Sequence, residues 1–141
     1  MFKKIMVAID GSEHSLKAID ASIEIAKKSN GKVEVIHVIP VVKQYVRDYA
    51  RVTPTLEKSL EEEANKIMKE TTEKFNNTGI EHNISIKKGD AADVIICEAE
   101  EKVIELIVMG SRGLGAISKF VLGSVSSKVL SHAHCSVLII R

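Results

Sequence analysis

Leu106-Ile107-Val108-Met109-Gly110-Ser111-Arg112-Gly113 is the stretch on which the fold of this chain turns. Its apolar run has no polar interruption, as in a strand buried on both faces of a parallel sheet. Glycine ends the run, and nine residues separate Gly113 from Gly123-Ser124, where a helical pattern begins. A strand that passes through glycines into a helix puts backbone amides where an anion can meet them.

Working outward, the same alternation recurs. Ile5-Met6-Val7-Ala8-Ile9 is another continuous apolar run, broken by Asp10-Gly11-Ser12. Either Asp10 or Ser12 suits a helix N-cap, with Glu13 in the first turn where the helix dipole favours negative charge. Leu16, Ile19, Ile23 and Ala26 recur at helical spacing, and Asn30-Gly31 ends that helix. Residues 32–38 read as a strand stopped by Pro40. Residues 40–54, with Tyr45, Arg47, Tyr49 and Arg51, read as a long loop, and the favoured reading gives it no chemistry. A charged helix over residues 55–75 carries Leu56, Leu60, Ala64, Ile67 and Phe75 as its apolar stripe. Ile80, His82, Ile84 and Ile86 alternate with Glu81, Asn83, Ser85 and Lys87, the period of an edge or half-exposed strand. A third helix starts at Asp90 or Asp93 and includes Val94, Ile95, Cys97 and Ala99. A fourth runs from Gly123 to Ala133 with Val125, Val129 and Leu130 inward, and Val137 to Ile140 is the last strand. This order predicts a single α/β domain over residues 1–141, a doubly wound five-stranded parallel sheet with helices on both faces.

Composition narrows the function. The 141 residues are 45% hydrophobic and 28% charged, enough for one core and a solvated surface. A net charge of +1 argues against broad nucleic-acid binding, and 4% aromatics with no Trp argue against a base-stacking platform. Cys97 and Cys135 make no CxxC and no zinc spacing, and Cys97 in its apolar helical run reads as a buried, reduced thiol. No apolar run approaches a membrane span and no cleavage pattern follows Met1, so the expected compartment is the cytoplasm.

In a doubly wound sheet the ligand lies beyond the carboxyl ends of the strands, where strand order reverses. Asp10 sits past the first strand and residues 110–124 past the fourth, so the two converge if those strands are neighbours. Gly110 and Gly113 then let backbone approach a ligand, and the helix opening at Gly123-Ser124 offers amides and a hydroxyl to phosphate oxygens. Arg112 is a charge-assisted donor candidate for the same phosphates, or a solvated side chain. Asp10 suits ribose hydroxyls or a divalent cation. On composition alone the alternative stands that the glycines make a turn and Ser124 a cap. The P-loop GxxxxGK[ST] is absent, and Gly113-Leu114-Gly115 lacks the last glycine of GxGxxG, with Ser118 there.

The pattern G-x2-G-x9-G-[ST], filled by Gly110, Gly113, Gly123 and Ser124, resembles the ATP-binding signature of the universal stress protein family. Residues 5–12, 35–38, 106–113 and 132–140 resemble that family's strands and turns as well, so the likeness covers the whole chain. The resemblance implies strand order 3-2-1-4-5. It implies adenine near Ala8, Asp10 and Val38, and ribose and phosphates near Met109, Gly110, Gly113, Gly123, Ser124 and Val125. It implies ATP and a homodimer through Val137 to Ile140; the divalent cation that Asp10 suits on its own chemistry would then be Mg²⁺ or Mn²⁺ accompanying ATP. Two positions depart from the family pattern: Ser136 stands where proline is frequent, and Glu105 where aspartate is frequent.

No Glu or His falls within residues 106–131, so no general base is evident beside the glycine loop. The expected function is therefore an ATP-binding regulatory or stress-protective protein with slow or no turnover and an unidentified protein partner. The alternatives are a weak ATP hydrolase or autophosphorylating enzyme, and a nucleotide-independent interaction module.

Overall fold

The two uninterrupted apolar runs lie side by side at the centre of one sheet. Strand β1 (Lys4–Ile9) pairs in parallel with β4 (Leu106–Gly110), Ala8 opposite Met109. In this computed structural model, which describes residues 1–41, 54–112 and 122–141, β2 (Lys32–Pro40) flanks β1 on the other side. The edges are β3 (His82–Gly89) and β5 (Ser136–Ile140), giving the order β3-β2-β1-β4-β5 with every pairing parallel. Strand order thus reverses between β1 and β4, as the switch-point reading requires.

Four helices cover the sheet: α1 (Glu13–Ser29), α2 (Pro54–Phe75), α3 (Ala91–Glu101) and α4 (Ser124–His132). Ile5, Val7, Ile9, Val35 and Val108 face α1 and α2, whose Ala18, Ile19, Ala26, Ile67, Met68 and Phe75 close one core. Met6, Ala8, Ile36, Ile107 and Met109 face α3 and α4, whose Ala92, Ile95, Ala99 and Val129 close the other. Ile5, Val7, Ile107 and Val108 are 0% exposed. Each buried side chain of this size contributes about 1.5–3 kcal/mol, which is why residues 5–9 of β1 and 106–109 of β4 are all apolar.

Periodicity misplaces three side chains. Leu56 is 43% exposed, because the buried stripe of α2 begins at Ala64. Leu130 is 48% exposed: one residue past buried Val129, it is rotated about 100° off the packed seam. Cys97 is exposed rather than buried. Its pKa is nevertheless raised, first by the Glu101 carboxylate and then by partial desolvation and by Glu98 and Glu100, so it carries little thiolate at neutral pH. Tyr45, Arg47, Tyr49 and Arg51 lie outside the described residues.

Glu105, the departure noted in the sequence, has a local role. Its Oε2 accepts from the amides of Lys3 and Lys4 at 2.6 and 2.8 Å and fixes the entry to β1. Just beforehand, α3 ends in strain. Val103 holds φ 54, a left-handed conformation that β-branched residues disfavour, and its side chain is 67% exposed. The turn is held by Ile104 N–H donating to Ala99 O at 2.8 Å. Val103→Gly relieves the strain and loses almost no burial. It should raise stability by about 1 kcal/mol after the entropy cost of glycine, read as a higher urea midpoint at unchanged m-value.

Candidate functional site

A cavity opens at the carboxyl ends of β1, β2 and β4, ≈ 490 Å³ including its mouth. Its floor is apolar, from Ala8, Ile36, Val38, Ile95, Met109 and Val125. Its rim is polar, from Asp10, Ser12, Ser15, Arg112 and Ser126. Of the residues singled out from sequence, Ala8, Asp10, Val38, Met109, Gly110, Arg112 and Val125 all line this one cavity. Gly113 lies outside the described residues. Gly123 and Ser124 open α4 beside it, and Ser124 is exposed.

Local hydrogen bonds set the rim. Asp10 Oδ1 accepts from Ser12 N–H at 2.9 Å, and Ser12 Oγ caps α1 by accepting from Ser15 N–H at 3.2 Å. Both residues offered as the cap from sequence therefore act in one turn. On the other side, Gly123 N–H donates to Ser111 O at 2.7 Å. The Ser126 hydroxyl is shared between Gly110 O at 2.9 Å and Ser111 O at 3.2 Å. These bonds tie the start of α4 to the end of β4.

The two glycines of this region differ in physical origin. A Cβ on Gly110 would lie 2.7 Å from His14 Cβ and 3.0 Å from His14 C, so glycine here is dictated by α1 packing against β4. Among the described residues a Cβ on Gly123 would meet nothing closer than 3.5 Å, and its φ of −60 suits any residue. Ser12, Asp90 and Gly123 hold N-cap positions with similar extended backbones. Ser12 and Asp90 cap their helices with side-chain oxygens, whereas Gly123 has none to give. Gly123 thus gives the first amides of α4 no side-chain cap, beside the cavity.

Sequence reasoning missed His14. The close approach at Gly110 brings it to the turn after β4: Nδ1 lies 3.0 Å from Ser111 Oγ and Nε2 lies 3.0 Å from Arg112 Nη2. A histidine does therefore stand beside the glycine loop, but the arginine occupies its acceptor nitrogen, so it is not poised as a general base. Ser126, Ser15 and Ile95 also line the cavity without having been read from sequence as site residues. Their places follow from how helices pack over the switch point, which no local pattern carries. His37 is buried as a structural residue, its Nδ1 2.8 Å from Ile9 O. Among the described residues no three His, Cys, Asp or Glu side chains cluster to hold a metal.

These features define a doubly wound α/β protein with a cavity at the switch point of its sheet. The chain belongs to the universal stress protein family, whose model matches residues 1–141. It is similar to universal stress protein YxiE of Bacillus subtilis, 34% identical with all of both chains covered. It is also similar to two solved structures. One is a universal stress protein in complex with cAMP: 25% identity, TM-score 0.76, covering 99% of this chain and 97% of that one. The other is an Arabidopsis thaliana member of the family with AMP bound: 25% identity, TM-score 0.72, covering 98% of this chain and 90% of that one. Among the described residues no helix is long and apolar enough to cross a membrane.

Proposed function

We propose that this protein binds ATP in the β1–β4 cavity as a regulatory ligand, with slow or no turnover. Gly123 carries the reading: nothing in the described packing or backbone requires glycine there, yet as N-cap it offers the α4 amides no side-chain acceptor in front of a cavity. An anion meeting those amides supplies the missing cap and the charge that the helix dipole favours. In this reading adenine occupies the apolar floor at Ala8, Val38, Met109 and Val125. The ribose lies toward Asp10, and the phosphates face Gly110, Arg112, Gly113, Gly123 and Ser124. That relatives of this fold carry cAMP or AMP supports a nucleotide in the family's cavity. Among the described residues no group of three His, Cys, Asp or Glu side chains includes Asp10, so in this reading it would hold Mg²⁺ or Mn²⁺ together with phosphate oxygens.

The apolar edge strand supports a homodimer. Val137, Leu138, Ile139 and Ile140 are each only half-buried at the outer edge of the sheet, and pairing with a second copy would cover them. We assign the protein to the cytoplasm, with a protein partner that reads its nucleotide state.

Titration calorimetry of the purified protein should show ATP binding, and no heat at millimolar ATP would overturn the reading. Tighter binding of AMP or cyclic AMP would reassign the ligand to a mononucleotide. Stoichiometric product from labelled ATP and Mg²⁺ within hours would make the protein an enzyme instead.

A further inference from the structure

We infer that His14 is a positioning residue for Arg112: a neutral imidazole protonated at Nδ1 that holds the guanidinium at the rim of the cavity. The guanidinium has donors only, so at 3.0 Å the His14 Nε2 must present its lone pair to Arg112 Nη2. The imidazole proton is then on Nδ1 and donates to Ser111 Oγ, also at 3.0 Å. The backbone of His14 is itself locked, because α1 rests on Gly110. Arg112 lines the cavity, and one of its five N–H groups is committed to a fixed acceptor. A long side chain ordered before the ligand arrives need not be ordered at its arrival, which strengthens binding several-fold without a new contact. His14 does not line the cavity and acts through Arg112.

This inference rests on the nucleotide reading, and its first test needs no ligand. Long-range ¹⁵N–¹H correlation spectra at pH 8 should show the His14 ring as the Nδ1–H tautomer, assigned by its loss in His14→Gln. The Nε2–H tautomer would overturn the inference. The second test is calorimetry with ATP and adenosine on wild type, His14→Phe, His14→Gln, Arg112→Ala and the double variant His14→Phe/Arg112→Ala. His14→Phe should weaken ATP about fivefold and leave adenosine unchanged. His14→Gln, which restores an acceptor, should recover ATP affinity to within about twofold of wild type. In the Arg112→Ala background, His14→Phe should have no further effect. Additive losses, or equal losses for adenosine and ATP, would show a merely structural role. Wild-type protein that binds no ATP overturns the nucleotide reading and this inference with it. Wild-type protein that binds ATP alongside an unchanged His14→Phe overturns this inference alone.

Discussion

Gly123→Asp should cut ATP affinity at least about 100-fold while leaving the protein as stable as wild type or slightly more so. Gly123 shares the extended N-cap backbone of Asp90, whose carboxylate accepts from the third residue after it. Among the described residues an aspartate at 123 would have room for its Cβ, with every described neighbour at 3.5 Å or more. Its carboxylate would take the amides left to a phosphate and place a negative charge in the same position. Two charge-assisted hydrogen bonds at about 1.5–3 kcal/mol each exceed the roughly 2.8 kcal/mol of a 100-fold change. The cap itself adds only a few tenths of a kcal/mol over glycine. The opposite signs make the test sharp, since a variant lost to misfolding would lose both quantities. Urea melts and calorimetry on one preparation read both. Unimpaired ATP binding by a folded Gly123→Asp would remove α4 from the site.

Gly110→Ala should be the most damaging small substitution in the region, costing about 3 kcal/mol. The new methyl would stand 2.7 Å from His14 Cβ, 3.0 Å from His14 C and 3.2 Å from Ser15 N, two of them backbone atoms. No rotamer change relieves that contact, so α1 must slide on a close-packed core. The expected readout is a midpoint lowered by roughly 10 °C on heating, with Gly123→Ala as a control costing under about 1 kcal/mol. Equal stability of the two variants would show that α1 can yield at His14.

The contrast between these glycines marks where sequence reading reached its limit. Both belong to one motif, and the motif assigns both to the ligand. Only the helix packed on β4 shows that Gly110 answers to His14, 96 positions away along the chain. His14 was unreadable for the same reason: its partners Ser111 and Arg112 follow a strand from the other half of the chain. Leu56, Leu130 and Cys97 erred differently. Helical spacing defines a face, but not whether a neighbour covers it.

What the sequence determined by itself was whatever rests on local physics. The unbroken apolar runs of β1 and β4 read as strands buried on both faces, and the alternation of β3 as an edge or half-exposed strand, as their places in the sheet bear out. The sequence narrowed two helix starts to Asp10 or Ser12 and to Asp90 or Asp93, because a cap is a bond between a side chain and its own next turn, and Ser12 and Asp90 make those bonds. Tertiary structure alone decided which residues meet at the cavity and which glycine is answerable to packing. It alone placed a histidine from the first helix beside the arginine that follows the fourth strand. Those contacts join segments far apart along the chain, and only the packing of the folded sheet and helices fixes them.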